Sequence, residues 1–384
     1  MEGKGTSEVT APLSWSNWKA ALGGSVAPYV IEMRLYSDAR FVGEKRNLGP
    51  YSFLNTVPAT RHGSSDELKP SIVLRTEWHI ANDVSVPLDT NDSHYHGGTP
   101  FDEVAALVAL LLDVRVVAGP VDREFGLDDD PLGRPRAHDA SHQPMLPALR
   151  KPPQIPRLNR TCHLNDLGNL GTYPMLPAAA ATALVKAARL YQNALWIADT
   201  SPETSWLLLV AAVETAANHW DGDVRTDVER LRFSFEPMVR YLEERGAEEH
   251  VPEIAKYLSG VIGATSKFTT FMVEFSPKEP PSRPTWEKLD FEPRKLKNAF
   301  RAIYQFRSRA LHAGIPFPMP MCDPPRSSSN GIHVEKPMGI ATGTLNASWR
   351  AEDTPMLLHM FAYLTQGALM NWWSSMTSEI ADVS

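Results

Sequence analysis

Residues 302–318 read AIYQFRSRALHAGIPFP and place Arg307 and His312 five positions apart. A histidine side chain titrates at about 6.5 when unperturbed. It can therefore take a proton from a hydroxyl near neutral pH as a general base. An arginine is always charged, and its planar fork grips a phosphate through paired N–H donors. The two types together suit chemistry at a phosphodiester. Geometry limits the pairing. At about 100° per residue on a helix, positions five apart point roughly 140° apart, so the two share a site only where the helix ends near His312. Gly314 and the prolines at 316, 318 and 320 supply a stop there. Arg309 is three positions from His312, closer in direction, and is a rival phosphate ligand. A plainer reading stands beside these: His312 satisfies the last carbonyls of a helix and favours its dipole.

The element that must carry these residues is a helix over 293–311, with Leu296, Phe300, Ile303, Tyr304 and Leu311 on its apolar side. Its other positions are basic. Arg294, Lys295, Lys297, Arg301, Arg307 and Arg309 occur with only Asp290 and Glu292 nearby. Such a stripe can track a nucleic-acid backbone, or it is simply a solvated face. Further helices are predicted over 178–198, 206–220, 236–245, 251–275 and 354–376, with Ser201, Pro202 and Glu203 as a stop and restart. The stretch WLLLVAAVETAANHW at 206–220 is apolar nearly all round, as the central helix of a bundle is. Glu214 interrupts it, as a helper in chemistry or, preferably, as a buried partner for an arginine.

The pattern Tyr304, Arg307, Ser308, His312 and Gly314 on a helix resembles the HEPN superfamily, and within it the Apea-like HEPN domains of bacterial defence proteins. Glu214 in VAAVETAA and the segment IGATSKFTTFMVEF at 262–275 are also similar to that family. The resemblance covers roughly residues 177–376. It implies an all-α bundle that cuts RNA as a homodimer, without metal or other cofactor. His312 would take the proton of a ribose 2′-OH, and Arg307 would hold the phosphate. Ser308, which stands where members often carry Asn or Asp, and Glu214 would orient them. Tyr304, Lys297, Arg301 and Arg309 would contact the RNA, single-stranded or tRNA-like. The products would be a 2′,3′-cyclic phosphate and a 5′-OH. A toxin or antiphage effector is the implied role, with a trigger or antitoxin as a partner. The alternative is a non-catalytic HEPN module for dimerisation or partner binding, or an RNA-binding regulator.

The N-terminal half reads differently. The chain has 384 residues, enough for two domains. The expected division is a disordered lead at 1–14, an α+β module at 15–170 and the helical domain at 171–384. Strands are predicted over 26–35 and 71–80, and a helix over 100–113 capped by Thr99. Residues 118–176, rich in proline and charge, read as a linker or surface loop. His79, His94, His96, His138 and His142 are best read as surface histidines, because no set of metal ligands is complete. The two cysteines, Cys162 and Cys322, have no metal-type spacing, and reduced thiols are the default. With a net charge of -7 the whole molecule is no polyanion trap, so any RNA-binding surface must be local. No signal peptide or apolar run long enough for a bilayer is evident, so a cytoplasmic location without membrane contact is expected.

Overall fold

A computed structural model describes residues 11–27, 29–56, 68–80, 96, 98–126, 132–137, 143–146, 152–220, 226–328, 331–337, 341–342 and 347–383. His94, His138, His142 and most of the predicted lead lie outside them. Contacts divide the chain into two units: residues 1–201 with 372–384, and residues 202–371.

In the first unit α1 (Leu13–Leu22) precedes β1 (Tyr29–Ser37), β2 (Arg40–Val42), β3 (Glu44–Leu48), β4 (Tyr51–Asn55) and β5 (Lys69–Trp78). Then follow α2 (Pro100–Leu112), β6 (Val117–Gly126), β7 (Arg134–Pro135), β8 (Thr161–His163) and α3 (Ala178–Ile197). Six strands form one sheet in the order β3-β4-β5-β1-β6-β7, and each neighbouring pair is antiparallel. A separate parallel pair joins β2 to β8. Period-two patterning places Met33 opposite Leu74 and Leu35 opposite Ile72, all four buried. Helix α2 begins as the sequence predicts: Thr99 and Asp102 form a reciprocal capping box, and Pro100 occupies the first turn.

The predicted loop over 118–176 is corrected. Its start is β6, paired along β1. Its end is a 3-10 segment, Leu164–Met175. Leu164, Leu167, Leu170 and Tyr173 recur every third residue and are fully buried. That spacing matches the three residues per turn of a 3-10 helix, which stacks positions i and i+3 on one side. Helix α3, grouped with the helical half in the sequence reading, belongs to the first unit and contacts α2. Polar groups tie this unit internally. Arg115, 2% exposed, pairs with Asp38 at 2.7 Å and with Asp199, and also donates to the Leu195 carbonyl.

The second unit is helical: α4 (Pro202–His219), α5 (Asp227–Ser234), α6 (Glu236–Glu243), α7 (Val251–Glu274) and α8 (Pro293–Ala313). A two-stranded ribbon of β9 (Ala341–Thr342) and β10 (Ser348–Trp349) follows. The last helix, α9 (Leu358–Val383), starts in this unit and passes into the first at residue 372. Helix α5 was missed in sequence, although Thr226 and Glu229 form a second capping box there. With α6 and α7 it closes a small core of Leu231, Val239, Val251 and Ala255. Trp206 on α4 is fully buried between Phe317 and Phe361. Among the described residues no helix is long and apolar enough to cross a membrane. Cys162 and Cys322 are buried free thiols.

One buried acid makes the first unit sensitive to pH. Glu103 is 1% exposed and accepts the Ser14 backbone N–H at 2.9 Å. Burial raises its pKa above the ordinary carboxylate value. The folded state then binds a proton the unfolded state releases, so stability falls as pH rises through that window. Glu103→Gln removes the loss. In urea unfolding, the variant is expected to exceed wild type in stability at about pH 8 and to lose that advantage in acid below the unfolded carboxylate pKa. A difference that does not vary with pH contradicts this.

Candidate functional site

The chemistry-bearing residues of the second unit meet at α4 and α8. Glu214 on α4 accepts a hydrogen bond from the Tyr304 hydroxyl at 2.7 Å. Its other carboxylate oxygen accepts from Arg307 Nη2 at 2.8 Å. Glu214 and Arg307 are 17% and 23% exposed in their side chains, so the pair is largely shielded from water. The Arg307 guanidinium lies 5.5 Å over the Tyr304 ring. Phe268 of α7, within the 262–275 segment, packs on Tyr304 with ring centres 5.1 Å apart. Burial, and next the hydrogen bond to Glu214, hold the Tyr304 phenol above its ordinary pKa. It therefore stays a neutral donor. Of the two sequence readings of Glu214, the structure gives the arginine partner.

Helix α8 supplies the frame for this cluster. Leu296, Ala299, Phe300, Ile303 and Tyr304 are its buried residues. By helical direction Arg307 falls within about 40° of Leu296, Phe300 and Ile303, in the middle of the inward face. That is why it finds Glu214. Leu311, predicted on the apolar side, is 53% exposed. The turn that carries it is the last, where the helix has less to pack against.

His312 lies elsewhere. The helix does not end before it: α8 continues to Ala313, and Gly314 takes the left-handed conformation with φ 64° as the cap. A side chain other than glycine would be strained there. His312 therefore keeps its helical direction, roughly 140° from Arg307. It is exposed on the last turn. Gly314 ends the helix next to His312 as the sequence predicts; Arg307 is taken up by Glu214, while His312 is exposed on the last turn.

Other residues share the direction of His312 along α8. Within about 60° of its direction lie Arg294, Lys297, Asn298, Arg301, Gln305, Ser308 and Arg309. Arg294, Asn298, Gln305 and Arg309 are exposed, while Lys297, Arg301 and Ser308 are half-buried. The Arg309 guanidinium rests over the Phe306 ring at 6.0 Å. The helix contains no aspartate or glutamate. Its outward face is thus one sign of charge on a protein whose net charge is -7.

Of the remaining histidine candidates, His79 and His96 are among the described residues. His79 makes a 2.7 Å contact from Nδ1 to the Ser25 carbonyl and lies 3.5 Å from Glu77. His96, read in sequence as a surface residue, is buried. Among the described residues no group of three or more His, Cys, Asp or Glu side chains is placed to hold a metal ion. A cleft of about 110 Å³ in the second unit is lined by Pro320, Asp323, Arg326, Val334, Lys336 and Leu357, among others, and by none of the predicted site residues. No family model, curated protein or solved structure matches the chain.

The Glu214 cluster predicts a sharp contrast between the inward and outward sides of α8. Glu214→Ala leaves Arg307 and Tyr304 without their acceptor. It is expected to lower the opening free energy of α8 amides in hydrogen exchange by about 2 kcal/mol. Arg309→Ala, on the outward face, is expected to change it by no more than about 0.5 kcal/mol. Equal effects of the two substitutions rule out the cluster as the anchor of α8.

Proposed function

We propose that the second unit is a HEPN-type helical module acting as a metal-independent endoribonuclease, with His312 as the general base. The observation that carries this reading is the position of His312. It is an exposed histidine on the last turn of an acid-free, arginine-rich helix face. There it can meet a ribose 2′-OH while neighbouring cations hold the phosphate. Attack of the 2′-oxygen on the adjacent phosphorus expels the 5′-oxygen of the next nucleotide. The products are a 2′,3′-cyclic phosphate and a 5′-OH end. Two copies about a twofold axis would set two such faces side by side and double the field. In this reading the protein is a toxin or antiphage effector in the cytoplasm, and the N-terminal unit answers a trigger.

The commitment of Arg307 to Glu214 favours a second reading. Here the motif is a structural clasp, and the unit serves dimerisation or partner binding without turnover. The two readings part on a single residue, because the clasp does not need His312.

Incubation of purified protein with total RNA in EDTA, followed by analysis of product ends, decides between them. Wild type is expected to cut and leave cyclic phosphate ends. His312→Ala is expected to cut about 10²–10⁴-fold more slowly. Equal cutting by both proteins, or none by wild type, sinks the catalytic assignment and leaves the clasp.

A further inference from the structure

We infer that the outward face of α8, from Arg294 through Asn298, Gln305 and Arg309 to His312, is a binding track for the backbone of a single-stranded polynucleotide, with Arg309 as the phosphate ligand beside His312. The naming of Arg309 as a ligand in cleavage rests on the ribonuclease reading. The track itself stands without it.

Three observations support the inference. First, the five residues fall in one narrow direction. Arg294, Gln305 and His312 lie within about 20° of one another, and Asn298 and Arg309 lie within about 60° of His312. All five are exposed. The stripe is about 27 Å long at 1.5 Å per residue. Secondly, the charge is unopposed along the helix itself. No acid occurs in α8, and Asp290 and Glu292 mark where the stripe begins. Asn298 and Gln305 lie between Arg294 and Arg309, so phosphate and sugar oxygens find donors as well as charge. Thirdly, the two arginines nearest the histidine have different duties. Arg307 faces inward, is ion-paired to Glu214 and is 23% exposed. Arg309 is exposed, and its guanidinium is supported by the Phe306 ring. An exposed guanidinium can offer paired N–H donors to a phosphate. The arginine that binds phosphate at this helix end is therefore the one three residues before the histidine. Arg307 is a positioning residue that sets the rotation of α8 about its axis.

A flexible single strand suits a one-sided stripe. It can bend its phosphates onto one helix face and leave its bases free, so the binding is strongly salt-dependent and tolerant of sequence.

The test uses the full chain and two labelled probes, oligouridylate and oligothymidylate. The latter lacks the 2′-OH and cannot be cut by this chemistry. Binding of oligothymidylate is followed by fluorescence anisotropy across a salt series. Wild type is expected to bind with a log–log salt dependence. Arg309→Ala is expected to reduce the slope by about 0.7, and Arg294→Ala to reduce it by a similar amount. Arg309→Lys should keep the slope, since it keeps the charge. It should still slow oligouridylate cutting, since it loses the fork. Arg326→Ala with Lys336→Ala, at the cleft away from α8, is the control and should leave binding unchanged. Circular dichroism of Arg309→Ala matching wild type separates lost contact from lost fold. Wild-type slope and affinity in an Arg294→Ala, Arg309→Ala double variant overturn the track, as does loss of binding in the cleft control alone. Wild-type binding without cutting, lost in the double variant, removes the ribonuclease reading and keeps the track. Wild-type cutting that Arg309→Ala leaves undiminished removes the ligand role of Arg309 and keeps the ribonuclease.

Discussion

Glu214 decides which way α8 faces. An amphipathic helix is free to rotate a little about its axis as long as its apolar stripe stays covered. A carboxylate that accepts from the Tyr304 hydroxyl on one oxygen and from Arg307 Nη2 on the other restricts that freedom. Both donors sit on the same side of α8, three residues apart, which is the spacing at which helical side chains are neighbours. Because Glu214 is on α4, whose Trp206, Leu209, Val210 and Val213 are fully buried, the acceptor itself cannot move far. The direction of His312 and of every exposed cation on α8 follows from the buried face of the helix together with this bond pair.

The arrangement also explains why so basic a helix folds into a bundle at all. Six cations on one helix repel one another, and none has an acidic partner on the same helix. Turning Arg307 inward to an acid lowers the cost of one. Arg294, Lys295 and Arg309 lie exposed, where water solvates them. The charge is therefore kept at the surface by the same packing that gives the helix its place.

Much of the helical half was legible in sequence because its signals are local. Pro202 after Ser201, the apolar run at 206–213, and Gly314 followed by prolines each fix an end or a face without help from elsewhere. The rotation of α8 was only half legible. Spacing set the directions of Arg307 and His312 and Gly314 marked the end of the helix, but spacing does not say which of the two turns inward. The reach of Glu214 to Arg307 joins residues 93 positions apart in the chain, and no local pattern encodes it. In the N-terminal half the strand β6 was hidden because VAGPVDREFG is half-buried along nearly its whole length and shows no alternation. The 3-10 segment was hidden by its glycines, asparagines and proline, which read as loop. Its every-third-residue leucines were the signal, and they need a period of three rather than 3.6 to be seen.

The central claim is that Arg307 serves the protein rather than the phosphate. A double-mutant cycle tests it most directly, with Glu214→Gln and Arg307→Met made singly and together and read by urea unfolding of the RNA-free protein. The account predicts a coupling energy of about 1–3 kcal/mol between the two positions, so that the second substitution costs much less once the first is made. Strictly additive effects would contradict it, and would return Arg307 to the role of a free cation available to a ligand.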